Sequence, residues 1–302
     1  MVQGASTALW FGTKSSIKRI PIQKTYKLYI GGKFPRTESG RYYKLLNAQG
    51  DVIANVCRGS KKDIRDAVVA ARKGFGEWSK KTAYNRGQIL YRIAETLEGR
   101  KAQFADTLCL QGMKPAAAMD EVLASIDRIV YYAGWCDKYQ QIFSAVNPVE
   151  SSHFNFTFPE PTGVITIMAP LENGLLGLVS TIMPAIIGGN SVVVLASDRF
   201  PLTAIELAEV IHASDVTSGA INILTGQRKE LLQGLSNHMD VNATIYCGND
   251  KEELASIRSN ASLNVKRVIH HDFKNWSAET CQSPYMILDM LEMKTTWHPI
   301  GE

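Results

Sequence analysis

From residue 163 onward the chain repeats one rhythm, a short apolar run followed by a stretch of helical spacing. "GVITIM" (163–168), "SVVVLA" (191–196), "AINIL" (220–224), "ATIYC" (243–247) and "VKRVIH" (265–270) are the apolar runs. Helical patterns fill the gaps near 174–187, 201–213, 227–236 and 250–258. Five strands that alternate with helices predict an α/β fold with an open, mainly parallel sheet and helices on both faces.

Other elements frame this unit. "YKLYIGGKF" (26–34) reads as a hairpin turning at Gly31-Gly32. A helix over 59–78 opens on a capping pattern, Ser60 with Asp63, and places Ile64, Val68, Ala71, Phe75 and Trp78 on one face. Thr82 opens a second helix with Ile89, Ile93 and Leu97 inward. More helix follows through Phe104 and Leu108, then from Pro115 to about Tyr139. "SSHFNFTF" (151–158) alternates strictly, which sets Phe154, Phe156 and Phe158 on one face of a strand and His153, Asn155 and Thr157 on the other. "MLEMKTTWHPIGE" ends the chain as a lone strand.

Composition narrows the function classes. Hydrophobic residues make up 45% and charged residues 21%, an ordinary globular mixture. A net charge of +4, with no basic block interleaved with aromatics, gives no footprint for nucleic acid. No apolar run reaches the roughly 18 residues of a membrane-spanning helix. Cys57, Cys109, Cys136, Cys247 and Cys281 are dispersed, which suits a reducing compartment and predicts a cytoplasmic protein. The first acidic residue is Glu38, and seven basic residues precede it. That start reads as a solvated tail or linker over 1–25; a mitochondrial targeting signal is the alternative.

Residues 268–276, "VIHHDFKNW", line up His270, His271 and Asp272. On a strand His270 and Asp272 share a face and His271 points away, which leaves two ligands where a metal needs three or four. His153, His212, His238 and His298 offer no complementary spacing. The sequence therefore assigns no metal site.

The segments "EPTGVITIMAP" (160–170), "MPAIIGGNSVVVLASDRFPLTAIELAEV" (183–210) and "GAINILTG" (219–226) resemble the cofactor-binding domain of the aldehyde dehydrogenase superfamily. The N-terminal hairpin and helices, and the ending "LEMKTTWHP", are similar to the same family. The resemblance covers roughly 26–270 and 288–299. It implies a Rossmann-like dinucleotide domain from 26–145 and 160–275, and a β arm from 146–159 and 282–302 that joins subunits. The catalytic domain of the family has no room between them, since a domain needs at least about 50 residues.

The resemblance also tells what is changed. The family nucleophile is a cysteine of the missing domain, and Cys281, the nearest downstream cysteine, lacks its flanking pattern. Glu172 stands where the family has an asparagine that donates to the oxyanion, and Asn173 is one residue out of place. His271 falls at the general-base glutamate, and Phe273-Lys274 replace two glycines that let backbone approach the nicotinamide. No catalytic residue is assigned, and the trio His270, His271 and Asp272 reads as drift at an abandoned catalytic position.

At the dinucleotide site Leu195 replaces a ribose-binding lysine, while Asp198 keeps a carboxylate for a ribose hydroxyl. Gly226 and Gly248 remain as candidate cofactor contacts, and Asn249 still offers a donor. Asp250, Glu252 and Glu253 crowd the helix start that would receive a phosphate; as capping residues they are fully explained. NAD binding is expected to be weak or absent. The chain is most similar to the truncated second half of tandem aldehyde dehydrogenases.

The expected function is that of a pseudoenzyme that self-associates, as a dimer, or pairs with an intact aldehyde dehydrogenase. Phe154, Phe156, Phe158, Thr296 and Trp297 are the expected contacts. The alternatives are an NAD(P)-dependent oxidoreductase with residual activity on aldehydes, through Cys281 or His271, and a dinucleotide sensor.

Overall fold

The computed structural model describes residues 22–47 and 49–301. The expected basic tail and targeting signal lie, up to residue 21, outside the described residues.

The first layer is small. β1 (Thr25–Tyr26) runs parallel to β3 (Val52–Cys57), and β2 (Tyr42–Leu46) pairs antiparallel with β3. The 26–34 hairpin forms as expected, with Ile30 and Lys33 exchanging backbone hydrogen bonds at 3.0 Å around Gly31 and Gly32, which have φ of 59° and 74°. Tyr29 also exchanges backbone bonds with Ile223, so this hairpin covers one edge of the large sheet. The β2–β3 pair was not foreseen.

Four helices follow: α1 (Lys61–Trp78), α2 (Ala83–Gly99), α3 (Lys101–Leu110) and α4 (Pro115–Trp135). The capping box at Ser60 and Asp63 is present, and Thr82 caps α2. The helix expected to reach Tyr139 stops at Trp135, and a separate short α5 (Tyr139–Phe143) follows. Gly134 weakens the end of α4, and the Lys138 ammonium reaches back to its carbonyl, so one terminal acceptor is met outside the helix.

Next come β4 (Ala145–Asn147) and β5 (His153–Pro161), then β6 (Val164–Met168), α6 (Leu176–Ile187), β7 (Ser191–Leu195), α7 (Pro201–His212), β8 (Ile221–Leu224), α8 (Arg228–Asn237), β9 (Ala243–Cys247), α9 (Lys251–Ser262) and β10 (Arg267–His271). α9 runs past the expected end at 258 because Ile257 and Ala261, four apart, keep the same buried face. The last strand begins two residues later than expected, after Val265 adopts a φ of 55°. The five strands form one parallel sheet in the order β10-β9-β6-β7-β8. Val192 and Val194 pack in one core and Val193 in the other, which is the two-residue period of a strand covered on both faces. α6 is buried along its whole length. Its N-terminal Leu175 and Leu176 amides donate to the Glu121 carboxylate of α4 at 2.8 and 3.1 Å, a cap supplied from another helix.

Segment 272–290 carries the short α10 (Tyr285–Leu288) and buries Trp276, Cys281, Met286, Ile287 and Met290. It leads into β11 (Leu291–Pro299), which pairs antiparallel with β5 along its full length, from Leu291 opposite Pro161 to Pro299 opposite His153. The terminal strand is thus not alone: β11-β5-β4 make a ribbon of three strands. Among the described residues no helix is long and apolar enough to cross a membrane.

Candidate functional site

The strand order reverses between β6 and β9. Connections leave these two strands in opposite directions, so their carboxyl ends bound the crevice where open α/β sheets take ligands. One cavity opens beside it, past the ends of β7 and β8, and a second lies at the ends of β6 and β9.

The first, of about 360 Å³, is lined by Tyr43, Asp198, Gly226, Gln227, Arg228 and Lys229. It brings together two of the three candidate cofactor residues. Burial raises the Asp198 carboxyl above the usual range, against the pull of the Arg228 backbone N–H and guanidinium. Gly226 has a φ of 155°, and an added Cβ would lie 2.9 Å from Leu231 and 3.1 Å from the Gly59 nitrogen. Leu195 is buried in the core and offers no donor.

The second, of about 380 Å³, contains Pro170, Glu172, Cys247, Gly248, His271, Phe273 and Trp276. Gly248 sits here, apart from Asp198. A Cβ on it would lie 2.7 Å from the Tyr246 hydroxyl and 3.1 Å from Arg228 Nη1. Asp250 accepts from the Glu252 and Glu253 amides at 2.9 and 3.1 Å, and so caps α9 with a carboxylate. Glu253 in turn accepts from the Tyr246 hydroxyl at 2.8 Å.

His270 and His271 part company. His270 stacks on Tyr246, with ring centroids 5.7 Å apart, and its Nε2 lies 2.7 Å from the Gly248 carbonyl oxygen. His271 is 8% exposed, stacks on Phe273 at 5.2 Å and meets the edge of Trp276. Its Nε2 is buried without a hydrogen-bond partner among the described residues. Burial, with His270 second, pushes its pKa down to about 4 against the opposing Asp272, so the ring is neutral. Among the described residues no three His, Cys, Asp or Glu side chains stand close enough to share a metal.

A nucleophile paired with a base is what covalent chemistry needs. Cys247 is fully enclosed, with burial pushing its thiol up to about 12, and Cys136 is raised likewise. Cys281 is 1% exposed, its thiol raised by burial and directed at the Asn275 carbonyl 3.3 Å away. Glu172 pairs with Arg199, and the Asn173 amide donates to Glu121 Oε2 at 3.5 Å.

Two arginines carry the geometry and had escaped the sequence reading. Arg228, the first residue of α8, is 6% exposed and donates to the carbonyls of Ala169 and Cys247. Its signal was an anomaly, a cation at a helix N-terminus, where the dipole disfavours it. Arg128, on α4, binds segment 272–290 and left no local signal.

The expected association residues lie on the ribbon. Phe154, Phe156 and Phe158 form one aromatic row, with successive centroids 5.4 and 5.8 Å apart. Thr296 is opposite Phe156 and shares that face; Trp297 is opposite Asn155, on the other face, against His153.

Residues 35–271 match the model of the aldehyde dehydrogenase family. The chain is 32% identical over 261 residues to the cytosolic 10-formyltetrahydrofolate dehydrogenase of Mus musculus, covering 84% of this chain and 29% of that protein. It is 31% identical over 258 residues to an aldehyde dehydrogenase of Enchytraeus buchholzi, covering 83% of this chain and 51% of the relative. Among solved structures, the NAD+ complex of an aldehyde dehydrogenase from Bacillus cereus superposes with a TM-score of 0.78 at 26% identity, over 82% of this chain and 50% of that one. The chain thus spans about half or less of the length of these proteins.

Proposed function

The chain belongs to the aldehyde dehydrogenase family, and we propose that it serves there as a non-catalytic member that acts by association, with a second copy of itself or with an intact aldehyde dehydrogenase. The observation that carries this reading is the ribbon. Its central strand presents Phe154, which is 45% exposed, in a row with Phe156 and Phe158, beside Val146 at 68%. Its outer strand β11 leaves one ladder edge unpaired over nine residues among the described ones. A three-stranded ribbon with an exposed aromatic row and a long free edge is a template for another chain. A two-fold contact would use the same patch twice and close it. The buried, raised cysteines and the unpartnered His271 support the non-catalytic half of the reading.

Light scattering at micromolar concentration tests the association. A single copy weighs 33.4 kDa, and twice that mass is expected. Phe156→Asp places a charge in the centre of the row and should weaken the dimer by about 2–4 kcal/mol, on the order of 30-fold or more in Kd. A monomeric mass with Phe154 and Phe156 intact rejects self-association, and leaves pairing with an intact dehydrogenase to be tested by mixing the two. Incubation with NAD or NADP and a panel of aldehydes should yield no reduced cofactor above blank; turnover abolished by Cys281→Ala would overturn the non-catalytic reading.

The competing reading, a dinucleotide sensor, is favoured by one observation: Asp198 and Gly226 meet in a single cleft.

A further inference from the structure

NAD is the cofactor this family implies, and the residues of the crevice do not fit it. We infer that Arg228 is a resident plug, a side chain of the protein itself standing in the switch-point crevice where a nucleotide would enter. Its guanidinium spans the two lips. Nη2 donates to the Ala169 carbonyl, one residue beyond β6, and Nη1 donates to the Cys247 carbonyl, the last of β9, at 3.2 Å. Both acceptors are buried. The guanidinium lies 5.8 Å from the Tyr246 ring centroid, and Glu253 stands 3.9 Å from Nη1.

Three neighbours are shaped to this arginine. Gly248 leaves space that a Cβ would take from Nη1. Glu253 supplies the anion that offsets a cation held against the α8 dipole. Tyr246, anchored to Glu253, forms a wall. Gly248, a candidate cofactor contact by sequence, and Glu253, a helix-start acid, thus serve the plug. A nucleotide would have to displace charge-assisted hydrogen bonds to buried carbonyls and enter beside acidic side chains. The inference is independent of association, since a monomer or a dimer can carry it.

Adenosine is the sharpest probe. It carries the ribose hydroxyls that Asp198 can accept and none of the phosphate charge that Glu252 and Glu253 oppose. Calorimetry of the unaltered chain should show no saturation below about 1 mM. Arg228→Gly, and Arg228→Gln, which is too short to span both carbonyls, should bind adenosine at least about tenfold more tightly, and adding Asp198→Ala should cancel the gain. Micromolar adenosine or NAD binding by the unaltered chain overturns the inference. So does a folded Arg228→Gly with unchanged affinity. If neither substitution folds, Arg228 is a structural strut and the plug is rejected. None of these outcomes depends on the mass measured by scattering.

Discussion

Replacing Arg128 by methionine is expected to cost about 3 kcal/mol of folding stability and to lower the melting temperature by roughly 5–10 °C. Arg128 is 3% exposed. Its guanidinium donates to Gln282 Oε1 at 2.9 Å, the Cys281 carbonyl at 2.5 Å, the Trp276 carbonyl at 3.1 Å and Ser180 Oγ at 2.6 Å. Among the described residues no carboxylate pairs with it, and burial pulls its pKa below the ordinary value. Methionine keeps much of the volume and removes all the donors. Each orphaned buried carbonyl then costs about 1–3 kcal/mol, offset in part because the guanidinium no longer has to be desolvated. Arg128→Lys should not rescue, since one ammonium cannot reproduce the fork.

This prediction bears on what segment 272–290 is. It stands between the last sheet strand and β11, where the family resemblance would place a whole domain. Trp276, Met286, Ile287 and Met290 are nonetheless packed into the core, each burial contributing about 1.5–3 kcal/mol. The segment is a folded cap tied to α4 through Arg128. Thermal melts by circular dichroism, with limited proteolysis of 272–290, check it. A variant that melts within a degree or two of the parent, with the segment still resistant, would sink the idea.

The periodic part of the fold was legible because its causes are local. Val192, Val193 and Val194 announce a strand by type and order, and Ser60 with Asp63 announces a helix start within four residues. The β2–β3 pair was missed although Tyr42–Leu46 and Val52–Cys57 are both rich in strand formers; β2 exposes alternate residues, apolar ones among them, so its sequence carries no apolar–polar alternation. Arg128, Arg228 and Glu121 were missed for another reason. Arg128 meets its loop acceptors about 150 residues away in sequence, so no window of pattern contains both partners. At the candidate site the sequence reading located Asp198, Gly226, Gly248 and His271 near the carboxyl ends of the strands. What their surroundings do with them depends on Arg228, which only the folded chain brings between β6 and β9.

His271 should make the protein acid-sensitive from about pH 6.5 down to about pH 4. The ring is 8% exposed, its Nε2 is buried without a hydrogen-bond partner among the described residues, and its pKa is held at about 4 by burial and by His270. In the unfolded chain the same group titrates near about 6.5. Between these values the unfolded state binds a proton that the native state refuses, so stability rises with pH across the window. It is complete above about pH 6.5, falls as pH drops toward 4, and is flat with respect to this group below that. A separation of this size corresponds to about 3 kcal/mol, most of it already lost at about pH 4.5. His271→Phe keeps an aromatic ring against Phe273 and Trp276 and has nothing to protonate. Urea unfolding at about pH 7 and about pH 4.5 isolates the effect, because other acid-labile groups are common to both proteins. The parent should lose about 2–3 kcal/mol more than the variant on acidification. Parallel losses in the two proteins would mean that a proton, and water with it, reaches His271 in the native state, and that the second cavity is wet where the structure leaves the imidazole without a partner.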